Sequence, residues 1–165
     1  MRRIPLTKGK EALVDDADYE YLMQWKWYPV NSGSGHKLYA CRNRRMVNYT
    51  YERGTCKMHK VVARRMGLPY CRVDHWNGDG LDNRRRNLRP ATNSLNLANR
   101  GPQANNTSGY KGVTWDRERQ KWMAQIAIQG RHIFLGRFDD KCEAAQAYNE
   151  AASKHFGAFA VLNPV

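Results

Sequence analysis

The sequence predicts an α+β protein in two parts: mixed strands and helices first, then a three-stranded antiparallel sheet packed on one helix. Its 165 residues suffice for one compact domain or two small ones. Residues 101–107 contain turn formers without apolar periodicity, which predicts a linker between the parts. Helical and strand patterns are mixed before this linker, whereas apolar residues mainly alternate with a period of two after it. The predicted domains therefore cover residues 1–100 and 108–165.

The N-terminal part is predicted to contain two helices and three short strands. Residues 18–24 fit a short helix that begins near Asp16 or Asp18. Residues 57–66 fit a basic helix that ends at Gly67. Three segments rich in aromatic and β-branched residues are typical of strands: 25–30, 36–42 and 46–52.

The C-terminal part shows its secondary structure more clearly. Apolar alternation predicts three strands: 112–115, 121–128 and 131–138. Gln129-Gly130 fits the two-residue turn of a β-hairpin. Acidic residues from Asp139 to Glu143 form a capping pattern, and an alanine-rich helix follows that ends at Gly157. A stripe of small residues on this helix predicts that it lies close to the sheet.

The charge of the chain indicates a polyanionic partner. Lys and Arg number 28 against 15 Asp and Glu, which gives a net charge of +13. A nucleic acid is the first candidate and an anionic membrane is the second. The sequence contains no long apolar run, no signal-peptide pattern and no basic amphipathic helix, so no membrane partner is expected. A cytoplasmic location with reduced thiols is the simplest expectation, and the cysteines lack the C-x-x-C spacing of zinc fingers.

Residues 73–100 concentrate the side chains that phosphodiester hydrolysis requires. Asp74 and His75 would end one strand, and 87–89 would form a second. Thr92 would cap a helix that contains Asn96 one turn further on. Hydrolysis needs a base for water and a cation for the developing charge. A neutral histidine can supply the base, and Asp or Asn oxygens suit a hard cation such as Mg²⁺.

This segment resembles the HNH nuclease motif, the ββα-metal fold, in the variant found among phage and intron homing endonucleases. The matching residues are Asp74-His75, Asn77-Gly78-Asp79, Asp82-Asn83, Asn87-Leu88-Arg89 and Asn96-x-x-Asn99. The resemblance implies that His75 is the general base and that Asn87 orients it. It also implies that Asp74 and Asn96 bind one ion, Mg²⁺ or Mn²⁺ rather than Zn²⁺. Beside such a site, phosphate contacts are expected from Arg84, Arg85 and Arg86.

Residues 108–163 resemble the APETALA2-type DNA-binding domain, which also occurs fused to phage HNH nucleases. The matching segments are 108–113, 122–126, 134–138, 143–149 and 158–163. The resemblance implies that the three-stranded sheet lies in the major groove and that the helix packs behind it. The distribution of charge agrees with this arrangement. Basic residues dominate the predicted sheet, 109–138, whereas acidic residues dominate the predicted helix, 139–157.

Alternation along the strands divides the side chains between two faces. Five residues are predicted to face the helix: Val113, Trp122, Ile126, Ile133 and Leu135. Five are predicted to face DNA: Lys111, Thr114, Gln125, His132 and Phe134. Arg117 and Arg119 lie at the first hairpin, within reach of backbone or bases. Thr114, Ala127 and His132 stand where the plant family places arginines, so the plant target sequence does not transfer.

The sequence as a whole is interpreted as a divalent-metal-dependent, site-directed DNA endonuclease of the homing or phage type, with a monomer favoured. Arg42, Arg44 and Arg45 are expected to add backbone contacts. One alternative is a DNA-binding regulator with an inactive HNH unit. A second alternative is an RNA-binding protein, against which the absence of an RNA-recognition aromatic motif argues.

Overall fold

The computed structural model describes residues 1–31, 37–43, 55–68 and 72–165. Contacts between Cα atoms divide the chain into two compact units, Met1–Ala91 and Thr92–Val165. The strands within each sheet pair antiparallel, and both units also contain helices, which confirms the predicted α+β class. The division falls before the segment 101–107 that the sequence predicts as the linker, so the helix at 93–98 belongs to the second unit.

The first unit contains seven strands and two helices among its described residues. In chain order they are β1 (Arg2–Pro5), β2 (Glu11–Val14), α1 (Asp16–Met23), β3 (Tyr28–Asn31), β4 (Leu38–Asn43), β5 (Thr55–Lys57), α2 (Met58–Arg65), β6 (Arg72–His75) and β7 (Leu88–Ala91). Two of the sheets are hairpins, β1–β2 and β6–β7, and the third has the order β3-β4-β5. The predicted strand at 46–52 lies outside the described residues, as do Arg44 and Arg45.

Several predicted elements of the first unit differ from the structure. The strand expected at 25–30 is β3, which begins later because Trp27 is buried in the core and donates its indole N–H to the Leu22 carbonyl at 2.8 Å. Helix α1 begins at Asp16, before the predicted start. The β1–β2 hairpin was not predicted, since charged residues and Pro5 obscure its alternation of exposed and buried positions. Burial of Trp27 and its neighbours supplies most of the apolar stabilisation of this unit.

A buried carboxylate joins α1 to the turn before β7. The side chain of Asp18 is fully buried, and its two oxygens accept from Arg85 at 2.7 and 2.9 Å. Arg65 also donates to Asp18, at 2.7 Å. The hydrogen bonds and charge of Arg85 and Arg65 lower the pKa of Asp18, although burial opposes that shift. Asp18 therefore crosslinks three sequence-distant segments of the first unit.

The second unit contains two helices and one antiparallel sheet. Its elements are α3 (Asn93–Ala98), β8 (Val113–Asp116), β9 (Lys121–Ile128), β10 (Arg131–Phe138) and α4 (Lys141–Phe156), with sheet order β10-β9-β8. The predicted three-stranded sheet with one helix packed on it is confirmed. Gln129 and Gly130 both have left-handed φ angles, 50° and 81°, as the two-residue hairpin turn requires. The Asp140 carboxylate caps α4 by accepting from the backbone of Cys142 and Glu143.

Small side chains allow α4 to lie close to the sheet. Ala124 on β9 and Ala144 and Ala145 on α4 are fully buried. Ile126 and Leu135 pack on the same side of the sheet as these alanines. Leu135 lies there by the alternation that begins at Ile133, and a β-bulge between Phe134 and Gly136 shifts the register of β10 only after it. Ile133 was predicted to be covered by the helix but is 41% exposed, since β10 is an edge strand.

The described residues contain three free cysteines, of which Cys41 is buried, Cys56 half-buried and Cys142 exposed. Cys71 lies outside the described residues. In the described part of the chain, no helix has the length and apolar character needed to cross a membrane.

Candidate nucleic-acid interface

One face of the β8–β10 sheet is covered by α4, and the opposite face, here called the open face, carries polar, cationic and aromatic side chains. Strand register assigns the residues of each face, because directly paired residues point to the same side. The open face consists of Thr114, Asp116, Lys121, Met123, Gln125, Ala127, His132, Phe134 and Arg137. It includes four of the residues predicted to face DNA: Thr114, Gln125, His132 and Phe134.

The centre of the open face is aromatic and apolar. Phe134 is 54% exposed and pairs directly with Gln125 across the strands. Met123, half-buried, pairs with Thr114 on one side and Arg137 on the other. The Arg137 guanidinium lies 4.9 Å from the centre of the Phe134 ring, a cation–π contact.

Met123 and Arg137 were not among the predicted site residues. Alternation from Gln125 identifies Met123, since residues two apart in a strand share a face. Alternation does not identify Arg137, because the bulge at Leu135 inverts the phase of the strand after Phe134.

Most basic residues of the sheet already have intramolecular partners. Arg137 Nε donates to Asp116 Oδ2 at 2.8 Å, and this contact lowers the pKa of Asp116. Arg119 contacts Asp116 at 3.6 Å and Glu118 at 3.2 Å, while Lys121 pairs with Asp139 at 3.0 Å. The exposed pairs Arg119–Glu118 and Lys121–Asp139 contribute little to stability and can exchange for phosphate oxygens. Two further cations, Arg117 and Arg131, are exposed and take part in no ion pair among the described residues.

Lys111 does not lie on the open face, which corrects the prediction that it contacts DNA. Its ammonium group donates to the carbonyl oxygens of Leu97, Ala98 and Arg100 at 3.3, 2.5 and 2.6 Å. Burial lowers the pKa of Lys111 to about 8. The side chain donates to carbonyl groups at and just after the end of α3, and those of Leu97 and Ala98 also accept from the backbone N–H groups of Arg100 and Val161. Lys111 therefore links the end of α3 to the segment just before β8 within the second unit.

Three of the four residues predicted to perform hydrolysis lie at the β6–β7 hairpin of the first unit: Asp74, His75 and Asn87. Asp74 accepts two hydrogen bonds from Arg89 on one oxygen, at 3.0 and 2.9 Å. His75 is buried, and its ring lies 5.0 Å from the ring of His59 in an edge-to-face arrangement. Burial lowers the pKa of His75, and burial together with the charge of His75 lowers that of His59 to about 3. Both rings are therefore neutral at pH 7.

Asn87 is hydrogen-bonded within the loop that connects β6 to β7. Its amide donates to Asn77 Oδ1 at 2.9 Å and to the Asp82 carbonyl at 2.8 Å, while its oxygen accepts from the Asn77 backbone at 3.0 Å. The side-chain amide of Asn87, which was predicted to orient His75, therefore donates its hydrogens within this loop instead. The side chain that lies near His75 is Asn83, whose Oδ1 is 3.5 Å from His75 Nε2.

Asn96, the second predicted metal ligand, lies on α3 in the second unit, whereas Asp74 lies in the first. Among the described residues, no three His, Cys, Asp or Glu side chains lie together in a group that could hold a metal ion.

The three consecutive arginines before β7 have different environments. Arg84 forms a bidentate pair with Asp82, at 2.7 and 2.5 Å, and its hydrogen bond lowers the pKa of Asp82. Arg85 is held by Asp18. Arg86 is exposed and lines an open cleft of about 410 Å³, together with Trp76, Asn77, Asp82, Arg84 and Asn87. Of the predicted phosphate contacts, Arg86 presents the most accessible guanidinium.

Comparison with known proteins finds plant relatives and a phage relative. The chain is 35% identical over 86 residues to the AP2-like ethylene-responsive transcription factor TOE2 of Arabidopsis thaliana, a match of 52% of this chain and 18% of TOE2. It is 39% identical over 72 residues to dehydration-responsive element-binding protein 2A of Oryza sativa subsp. indica, covering 41% and 25% of the two chains. The match to Protein 3.8 of Escherichia phage T7 is 36% over 66 residues, 39% of this chain and 54% of the phage protein.

The chain therefore has homologues among AP2-type proteins. It spans less than a fifth of TOE2 and about half of Protein 3.8. No protein-family model matches it.

These relatives correct the interpretation of the chain as an enzyme. The prediction of a metal-dependent DNA endonuclease is wrong, because the plant relatives are named as transcription factors and as an element-binding protein. They favour the alternative stated with it, a DNA-binding regulator. Within the Asp74–His75 cluster, Arg89 pairs with Asp74, and Asn83 Oδ1 lies 3.5 Å from His75 Nε2.

Proposed function

We propose that the protein is a DNA-binding regulator and that the open face of its second unit binds duplex DNA. The observation that carries the proposal is the asymmetry of the sheet: α4 buries one face, whereas the other leaves Phe134, Gln125 and Arg137 accessible. Relatives named as transcription factors support the same function.

The dimensions of the sheet suit the major groove. Neighbouring strands lie about 4.8 Å apart, so three strands are about 10 Å wide between the outer backbones. The major groove of B-DNA is about 12 Å wide and admits a helix or a narrow β-ribbon. If the sheet enters the groove, side chains on the open face such as Thr114, Gln125 and His132 would point at base edges.

Exposed cations at the ends of the sheet supply the contacts to phosphate. Arg117 lies in the β8–β9 turn and Arg131 lies at the start of β10, at the sheet margins. Arg86 in the first unit is a further candidate. The net charge of +13 attracts any duplex, so affinity should fall steeply as salt rises. Because each chain carries one open face, we propose that a monomer occupies one site.

The proposal is tested by fluorescence anisotropy with labelled duplexes of random 20-bp sequence, titrated with the full chain at several salt concentrations. Arg117→Glu is compared with Lys154→Glu, which makes the same charge change on exposed α4. We expect Arg117→Glu to weaken binding about tenfold and to flatten the salt dependence, since one phosphate contact becomes a repulsion. Lys154→Glu should change affinity much less. Equal effects of the two variants would show that only net charge attracts DNA and would contradict binding through the open face.

A further inference from the structure

The centre of the open face presents apolar side chains and the amide of Gln125. Arginine, the side chain that most often recognises guanine, is not at this centre in an unpaired state. Phe134 exposes 54% of its surface, and Met123 and Ala127 occupy the same face on β9. Phe134 is the direct partner of Gln125, and Met123 lies two residues before Gln125 on β9 and diagonally across from Phe134. Cross-strand neighbours on one face have Cβ atoms about 5 Å apart, so these side chains form one contiguous patch.

We infer that the open face selects A·T base pairs by contacting thymine methyl groups with Phe134 and Met123 and an adenine edge with Gln125. This inference rests on the proposed function and specifies the DNA that it concerns. In the major groove, thymine differs from cytosine by presenting a methyl group, which apolar side chains contact favourably. Glutamine pairs with the N6 and N7 edge of adenine through two hydrogen bonds, and Gln125 lies beside Phe134 on the open face.

The charged groups of the open face do not favour guanine. Arginine and lysine recognise guanine through O6 and N7. Arg137 is the arginine nearest the centre, but Asp116 accepts from its Nε at 2.8 Å and the Phe134 ring lies under its guanidinium. Lys121 pairs with Asp139 at the end of the strand. A guanine contact would require Arg137 to leave both partners, whereas a methyl contact uses Phe134 as it already stands.

The inference is tested with four labelled 20-bp duplexes that separate the methyl group from base composition. They are alternating dA·dT, the same duplex with deoxyuridine for thymidine, alternating dG·dC, and dG·dC with 5-methylcytosine. Deoxyuridine retains every hydrogen-bonding group of thymidine but lacks the methyl. Full-length protein should bind dA·dT at least about fourfold more tightly than dA·dU, because burying one methyl contributes about 0.8 kcal/mol and 1.4 kcal/mol is tenfold. The 5-methylcytosine duplex should bind more tightly than unmodified dG·dC for the same reason.

Two variants test whether the preference for dA·dT over dA·dU depends on the apolar side chains of the open face. Phe134→Ala should reduce the preference for dA·dT over dA·dU, because only Met123 then contacts the methyl groups, while leaving the salt dependence of binding intact. Leu162→Ala, which truncates an apolar residue of similar exposure off the open face, should retain the preference. Equal affinity for dA·dT and dA·dU, with salt-dependent binding to both, would overturn methyl recognition and leave DNA binding in place. Absence of salt-dependent binding to all four duplexes would overturn the proposed function itself.

Discussion

Replacement of Gly112 by alanine is expected to destabilise the second unit severely, because α4 lies against this residue. A Cβ added at Gly112 would overlap the Tyr148 ring and approach the Gln125 carbonyl oxygen to 2.6 Å. Gly112 also has a φ angle of +76°, a left-handed conformation that costs a side-chain-bearing residue about 1–2 kcal/mol. Overpacking of a filled core adds about 1–3 kcal/mol. Gly112→Ala should therefore lower the free energy of unfolding by about 2–5 kcal/mol.

A matched variant separates the two contributions. Gly130 has a similar φ angle of +81°, but a Cβ there would meet no atom within 4 Å. Gly130→Ala should therefore incur only the conformational cost, about 1–2 kcal/mol. The difference between the two variants measures how tightly Tyr148 is packed on the sheet, and we expect it to be about 1–3 kcal/mol.

Urea denaturation of the full chain, followed by hydrogen–deuterium exchange of peptides from β9 and β10, measures the stability of the second unit separately from the first. If Gly112→Ala and Gly130→Ala destabilise these peptides equally, the close approach of α4 to the sheet is refuted. Retention of wild-type exchange rates in Gly112→Ala would refute the left-handed backbone at this position as well.

Three further outcomes follow from buried polar groups. Lys111→Met should destabilise the second unit by about 1–2 kcal/mol in urea denaturation, because carbonyl groups at the end of α3 lose a donor; no loss would contradict the linking contact. Asp18→Asn should destabilise the first unit by about 2–3 kcal/mol, since Arg85 loses its carboxylate, and wild-type stability would contradict a crosslink. Because the pKa of His59 falls from 6.5 to about 3 on folding, unfolding takes up a proton and stability should decrease as pH falls from 6.5 towards 3. His59→Asn should flatten this dependence, whereas exposed His155→Gln should leave it unchanged.

The second unit could be predicted largely from sequence because its signals are local. Strands β9 and β10 have the predicted bounds, since period-two alternation and the Gln129-Gly130 turn determine them without tertiary information. The bulge after Phe134 could not be predicted from alternation, because it depends on the pairing partner of β10. Consequently Leu135 was placed correctly on the helix side, while Arg137 was missed.

Side chains with distant partners account for the remaining differences. Alternation predicts Lys111 on the DNA side, but its partners are carbonyls at Leu97, Ala98 and Arg100 that no sequence pattern identifies. Similarly, Arg85 lies in a basic run that favours phosphate contact, yet Asp18 holds it from 67 residues away. A motif specifies residue types and spacing, whereas the ion pairs that engage those residues depend on the whole fold.

The central claim, that the open face binds duplex DNA, is tested most directly by amide NMR spectra of the full chain during titration with a 20-bp duplex. The account predicts that the largest shifts occur at residues of the open face and its turn, including Thr114, Arg117, Gln125 and His132. The exposed positions of α4, such as Lys154, should shift little. Shifts concentrated on α4 or on the first unit, with the open face unchanged, would contradict the account.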